Sequence, residues 1–421
     1  VYKRQARTDP TPGSVRSMMF DVARARQGFP SLGRTVDGVQ AAYLDGPGGT
    51  QVHQSVIDAM SRFMARGGSN LGGPFITSVE TDEVVAGARS AVADLFGADP
   101  REIAFGQNMT TLTYGMSRAL ARRWNRGDNI VLTRLDHDAN VTPWVQAAGD
   151  AGVEVRFVDF DPDTGCVIDA ERFAEQVDER TRLTAFTHAS NAVGSITPVG
   201  DLVRIAHEVG AITYVDAVHY TPHGLVDVRD TGTDLLVASA YKWFGPHTGC
   251  LYGRYDLLDE IDAYRLRPAP ARAPDKWETG TQSFESLAGV TAAVDYLAGL
   301  GSGDTRRDRL TSAYASIRSY EAELSDRFLG GVSEMPGVTL VGLPTSAHRT
   351  PTFAVDVGGV APAEVAATLG GAGIFVWSGD YYAVEVMQRL GRPDGLVRIG
   401  FVHYNTSSEV DRALDALEAL T

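Results

Sequence analysis

The sequence predicts an α/β fold: a mainly parallel sheet flanked by helices, followed by a smaller C-terminal α/β domain. Three observations carry this. Short apolar runs, partly β-branched and closed by polar or Gly residues, alternate with helical patterns, as strands covered on both faces do. Several of these runs end in a polar or ionisable side chain, and ligands bind at the carboxyl edge of an open α/β sheet. After about Gly289 the pattern changes to helices at Val290–Leu300 and Leu310–Phe328, then strands at Thr352–Val357 and Val397–Phe401.

Composition bounds the function. The 421 residues are 43% hydrophobic and 22% charged, an ordinary globular balance. The length suggests two or three domains at ~150 residues each. A net charge of −15 argues against nucleic acid and anionic membrane as partners. Cys166 and Cys250 are too few for a disulfide framework, which fits a reducing cytoplasm. No apolar run reaches the ~18 residues that a membrane span needs. Residues 1–14 carry no apolar period and read as disordered or as an expression or assembly remnant. The expected divisions are an N-terminal segment 15–40 packing on the small domain, with a short amphipathic helix at Val15–Arg26, then a large domain 41–289 and a small domain 290–421.

In chain order, Ala41–Leu44 reads as a brief strand. It leads into Asp45-Gly46-Pro47-Gly48-Gly49-Thr50, a tight loop before a helix from about Gln54 to Met64. Gly67–Pro74 is a second loop. Ile103–Phe105 is a strand feeding a helix that runs from Met109 to about Trp124. Free N–H groups and the dipole at such a helix start favour an anion, and Thr110 and Thr111 can add hydroxyl donors; simple N-capping is the alternative. Asn129–Thr133 leads to His137 and Asn140. His137 reads as a ligand, a base, a stacking platform or a hydrogen-bonded loop histidine. Val153–Phe157 and Leu183–Thr187 continue the sheet. The second leads to His188, read as buried, and to Asn191. A helix at about Asp201–Val209 places His207 on its exposed side.

Two strands then deliver the most telling pair. Ile212–Val215 ends in Asp216, and Leu235–Ala238 ends in Ser239-Ala240-Tyr241-Lys242. A carboxylate and an amine on one sheet edge suit pyridoxal 5'-phosphate (PLP), which needs a Lys for covalent attachment and an acidic partner for its pyridine nitrogen. A turn Asp and a solvated Lys are the plain alternative for each residue alone. His219 and His223 form H-x-x-x-H, but Thr221-Pro222 between them disfavours one helical face, so no metal is expected.

The segment V-D-A-x-H with the later S-x-x-K resembles the class V aminotransferase and cysteine desulfurase family, within the fold-type-I PLP-dependent enzymes. The resemblance runs from about Phe20 to the C-terminus. It implies a large domain with a seven-stranded-type sheet and a smaller C-terminal domain. It also implies Lys242, His137 and Asp216 as the catalytic set. The phosphate would lie at Met109, Thr110 and Thr111 with Ser239 and Tyr241, and His137 would lie against the pyridine face. Asn191 would bond the ring oxygen or the substrate carboxylate, and His219 the ring oxygen. Trp277-Glu278-Thr279-Gly280-Thr281-Gln282 resembles the family's E-x-G-T, in which Thr281 reaches the phosphate of the neighbouring subunit; this implies a homodimer with composite sites. Arg398, before Tyr404-Asn405-Thr406, resembles the family's R-x-S…Y-N-T and would bind the α-carboxylate of an amino acid by its fork of parallel donors. Asn140 is a further substrate or loop-positioning candidate, and Gly46 and Gly48 line up near the substrate mouth.

The chain also departs from the resemblance. Cysteine desulfurases carry a loop cysteine that takes the sulfur. Here Tyr382 stands about there, in Gly373–Ala383, with Trp377 where an Arg is frequent; Tyr382 is a substrate-binding candidate that with Tyr381 would reshape the pocket for a different substrate, and Asp380 is a candidate local acid or base. A phenol cannot accept sulfur. Neither Cys166, in a turn, nor Cys250, at a strand start, is a substitute, since a reactive thiol needs exposure and a lowered pKa. The expected function is PLP-dependent chemistry at Cα of an amino acid, carbon–sulfur β-elimination without a persulfide cysteine, with a cysteine conjugate as a candidate substrate. An aminotransferase or epimerase of the same fold is the alternative, and a non-catalytic PLP-binding partner protein a more distant one.

Overall fold

The computed structural model describes residues 20–421. The expected terminal segment 1–14 and the start of the expected helix Val15–Arg26 lie outside the described residues. The helix seen is Val22–Gln27, opened by Asp21, whose Oδ1 accepts from the Arg24 amide at 3.0 Å.

Seven strands form the large sheet: β1 Ile103–Gly106, β2 Asn129–Thr133, β3 Glu154–Val158, β4 Thr181–Thr187, β5 Ile212–Asp216, β6 Leu235–Ser239 and β7 Gly249–Gly253. Their order is β1-β7-β6-β5-β4-β2-β3. Strands β6 to β3 run parallel, whereas β7 is antiparallel to both of its neighbours. Every residue of β2 and of β6 is buried. Alternation sends their side chains to opposite faces. Ile130, Leu132, Leu235 and Val237 join the core on one face, and Val131, Leu236 and Ala238 the core on the other. This is why the runs read as continuous apolar stretches. Strand β4 starts two residues before the expected Leu183, at Thr181. That polar residue is buried because its hydroxyl donates to Asn129 Oδ1 at 2.7 Å.

The helix Met109–Ala121 follows β1 and begins in a capping box. Asn108 Oδ1 accepts from the Thr111 amide at 2.9 Å, and Thr111 Oγ1 accepts from the Asn108 amide. Between β4 and β5, helix Val199–Glu208 buries Leu202, Val203 and Ala206 against the sheet.

The C-terminal part holds a second sheet of β8 Val338–Val341, β9 Thr352–Val357, β10 Trp377–Gly379 and β11 Leu396–Gly400, ordered β8-β9-β11-β10 and antiparallel throughout. Ala42–Tyr43 pairs in parallel with Ile374–Phe375, and Ala42 and Leu44 enter the C-terminal core. The divide drawn from sequence at 289/290 falls inside the helix Phe284–Gly299, which packs on Gln54–Arg66 and Ile76–Phe96. At the centre of the C-terminal core, Phe328 stands 4.6 Å from Phe353 and 5.5 Å from Phe401, ring centre to ring centre. Phe328→Ala therefore costs about 3–5 kcal/mol of stability through the cavity it leaves, read as a lower denaturation midpoint. Among the described residues, no helix is long and apolar enough to cross a membrane.

Candidate active site

The carboxyl ends of β2, β4, β5 and β6 open onto two adjoining cavities. The deeper one is walled by Asn108, Met109, Thr110, Asp216, His219 and Ser239. The outer one, of about 640 Å³, is bounded by Tyr114, Asp138, Trp377, Tyr381, Tyr382 and Arg398. Thr110, His137, Asn191, Tyr241 and Lys242 belong to both.

Lys242 follows β6 in a one-turn 3-10 helix, and its side chain is buried at the junction of the two cavities, with Nζ bonded to the Pro47 carbonyl. Burial, with the positive charge of Arg398, pulls its amine down to about 7; Asp216 and Asp45 oppose this. Asp216, the last residue of β5, is buried too. Burial raises its carboxyl to about 6, against the Val218 amide, which donates to Oδ1 at 2.9 Å, and against Lys242. His137 is kept neutral by burial and by Lys242 and Arg398, its pKa brought down to about 4.

The floor of the deeper cavity is the start of helix Met109–Ala121. The Met109 amide donates to Ser239 Oγ at 3.0 Å, which ties the helix start to the end of β6. Such a helix start, with its free N–H groups, suits an anion.

Arg398 comes from β11 of the C-terminal sheet. It is buried, donates through Nη1 to the Asn191 carbonyl at 2.9 Å, and lies 4.3 Å from the centre of the Tyr381 ring. Burial lowers its pKa to about 10. Asn191 Nδ2 donates to the Tyr381 carbonyl at 3.0 Å. Three buried polar atoms on cavity-lining residues have no protein partner: Asn191 Oδ1, His219 Nδ1 and Arg398 Nε. With an amine, a carboxyl and a helix start around one cavity, these are the donors and acceptors that a PLP–amino-acid pair requires.

The aminotransferase class V family model matches residues 42–413. The chain belongs to the class V aminotransferase family. It is 32% identical to an uncharacterized protein of Mycobacterium tuberculosis (strain CDC 1551 / Oshkosh), over 96% of this chain and 100% of that one. It is 30% identical to a cysteine desulfurase of Pectobacterium carotovorum, over 96% and 98% of the two chains. The apo structure of a cysteine desulfurase from Thermococcus onnurineus superposes with a TM-score of 0.84 at 27% identity, covering 94% of this chain and 97% of that one. Class V aminotransferases and cysteine desulfurases are PLP enzymes, and this chain is a PLP-dependent enzyme.

Within this class V aminotransferase chain, Thr111, Asn140 and Thr281, all singled out as site candidates, stand away from the cavities. Thr111 is exposed and spends its hydroxyl on the Asn108 backbone, one position round the helix from Thr110. Asn140 is buried, but its amide is taken by Asp136 Oδ1 at 2.7 Å and by the Trp144 indole at 3.0 Å, so it braces the His137 loop from behind. Thr281 lies on the surface of this chain. Gly48 lines the outer cavity and Gly46 does not. His188 is buried, its ring stacked 3.5 Å from that of Tyr220. His219 and His223 meet edge to face at 5.4 Å, each occupied elsewhere, by the Thr352 hydroxyl at 2.9 Å and by Glu321 Oε2 at 2.9 Å. Both thiols are buried, which pushes Cys166 up to about 12 and Cys250 further still, and neither lines a cavity.

Asp45, Pro47 and Tyr114 were not singled out. Asp45 is half-buried, and its carboxyl is raised to about 6 by desolvation while Arg398 and Lys242 lower it. The Gly/Pro signal of its loop marked the place but not the carboxylate or the Pro47 carbonyl, which have no motif of their own. Tyr114 lies one turn beyond Thr110, a spacing that turns it to the same side of the helix.

Proposed function

We propose that this enzyme removes the Cα proton of a bound amino acid and expels a sulfur substituent from Cβ, with no protein thiol to receive the sulfur. Support comes from one observation: the cavity that joins Lys242 to Arg398 has no thiol on its walls. Tyr382 stands at the loop position that the resemblance gives to a cysteine.

PLP, when bound, supplies a ring that withdraws electrons from the substrate Cα. Lys242 would attach it covalently. Met109, Thr110, Ser239 and Tyr241 would hold its phosphate, Asp216 and His219 its ring, and His137 one ring face. Asp216 keeps an acidic group in the deeper cavity, held by the Val218 amide. Arg398 orients the amino acid by donating to its carboxylate through its free edge, and Asn191 Oδ1 is an unpartnered acceptor in the same cavities. Lys242 Nζ, once free, takes the Cα proton; burial keeps a large neutral fraction at neutral pH. The same reading includes a homodimer in which the exposed Thr281 reaches the partner's phosphate.

The products decide the reaction. An S-substituted L-cysteine is expected to yield thiol, pyruvate and ammonia in equal amounts, and alkylating the protein's thiols leaves turnover in place. A keto acid that retains the side chain, or an inverted Cα centre with no thiol released, would overturn the elimination in favour of transamination or epimerisation.

Cofactor uptake tests the lysine. Attachment needs the neutral amine, so the rate at which apoprotein acquires its visible absorption band is expected to rise with pH through a midpoint near 7, where the buried Lys242 loses its proton. An ordinary lysine would place that midpoint near 10.4.

A further inference from the structure

The outer cavity is large for an amino acid as small as cysteine. Its volume, about 640 Å³, falls in the middle of the range of roughly 300–1,000 Å³ for small-molecule sites. Two aromatic side chains stand at its mouth with much of their surface in solvent, Trp377 at 53% and Tyr382 at 71% exposure. Exposed apolar surface on the rim of a cavity is a mark of ligand contact.

Each ring is fixed by the fold. Trp377, in β10, is the cross-strand partner of Arg398 in β11, so the indole stands beside the guanidinium. Its Nε1 lies 2.3 Å from where a Cβ on Gly48 would be, an approach that only glycine permits. Tyr382 stacks on His137 with ring centres 5.6 Å apart and planes 21° apart.

The turn that presents Tyr382 is strained. Tyr381 and Tyr382 both have φ of 56°, a left-handed conformation that side-chain-bearing residues rarely adopt. It is stitched down at three points: Asp380 Oδ1 accepts from the Tyr382 amide at 2.9 Å, the Tyr381 carbonyl accepts from Asn191 Nδ2, and the Tyr382 carbonyl accepts from the Asp138 amide at 2.6 Å. Glycines would take this turn without strain, so what the strain retains is the two rings. Tyr381 points in, onto Arg398; Tyr382 points out, over His137. The carboxylates nearby already have partners: Asp138 accepts from the Thr142 hydroxyl at 2.8 Å, and Asp380 from the Tyr382 amide. The recognition surface left at the mouth is aromatic.

We propose that Trp377 and Tyr382 form an aromatic selector, and that the substrate is an amino acid whose side chain beyond Cβ is bulky and apolar or aromatic, in preference to cysteine itself. This rests on the amino-acid reading proposed above and narrows its substrate class.

The test measures binding, not turnover. PLP-loaded enzyme is titrated with L-norvaline and with L-2-amino-5-phenylpentanoate, which mimic S-methyl and S-benzyl cysteine but carry no leaving group, and the change in the visible band gives each Kd. The aromatic ligand is expected to bind about tenfold or more tightly than norvaline, on the scale of aromatic contact plus burial. In the Trp377→Ala, Tyr382→Ala double variant that ratio falls toward one, while Tyr382→Phe keeps it; melting curves confirm that the variants are folded. Equal binding in the wild type, or a ratio that survives the double variant, overturns the selector and leaves the proposed function standing. A protein that develops no visible band with PLP, or whose band no amino acid moves, refutes the proposed function and the selector with it.

Discussion

Lys242→Ala is expected to lower turnover by on the order of a thousandfold, within the range that a positioned proton-transfer group supplies. It is also expected to abolish the lysine-linked visible band. The amine is buried where the two cavities meet, and no other lysine lines either of them. Lys242→Arg does not rescue the reaction, because a guanidinium stays protonated and cannot act as nucleophile or base. Steady-state rates and absorption spectra of both variants check this; turnover within tenfold of the wild type would remove Lys242 from the mechanism.

Arg398→Ala is expected to raise KM by about 30-fold or more with a smaller change in kcat, since losing one partner of a buried charge pair costs about 2–5 kcal/mol. The guanidinium is buried, and its Nε has no protein partner. The carboxyl that opposes it, Asp45, is raised to about 6 by desolvation. The guanidinium thus keeps an unpartnered donor edge that a substrate carboxylate would fill. Two corollaries separate this from a structural role. The melting temperature of the apoprotein should not fall, because a buried guanidinium with an unpartnered donor has been removed. The pH midpoint for cofactor uptake should rise, because Arg398 helps to depress the Lys242 amine. Arg398→Lys restores binding only in part, a point charge replacing a fork.

Much of this arrangement was legible in the sequence because parallel strands deposit their carboxyl ends on one edge. Asp216 and Lys242 could be placed from two short apolar runs, and His137 and Asn191 from two more; all meet at the cavities. The misses have a different scale. Thr110 and Thr111 are neighbours in sequence, yet the capping box turns one hydroxyl into the cavity wall and the other onto its own backbone. Asn140 sits in the right loop with its amide spent on Asp136 and Trp144. A strand-end rule finds the loop; which side chain faces inward is settled by local hydrogen bonds that no periodicity records. Contributions from the C-terminal unit were legible only through resemblance, because Arg398, Trp377 and Tyr381 reach the site across a long stretch of intervening chain.

The antiparallel strand β7 has a consequence for how the site comes into being. Strand β1, which launches the helix at the floor of the deeper cavity, is an edge strand whose only neighbour in the sheet, among the described residues, is β7. Gly249 is paired with Gly106 on one side and with Ser239 on the other, and a Cβ there would stand 2.4 Å from the Asn108 backbone. The amides that would grip a phosphate and the hydroxyl beside them are thus brought to one place by the last strand of the sheet to be synthesised. The chain as far as Lys242 already holds the amine, Asp216 and the Ser239 hydroxyl that meets the Met109 amide, but lacks the strand that lies between β1 and β6 in the sheet. The sheet edge that carries the helix start is therefore completed only when β7 pairs with both β1 and β6.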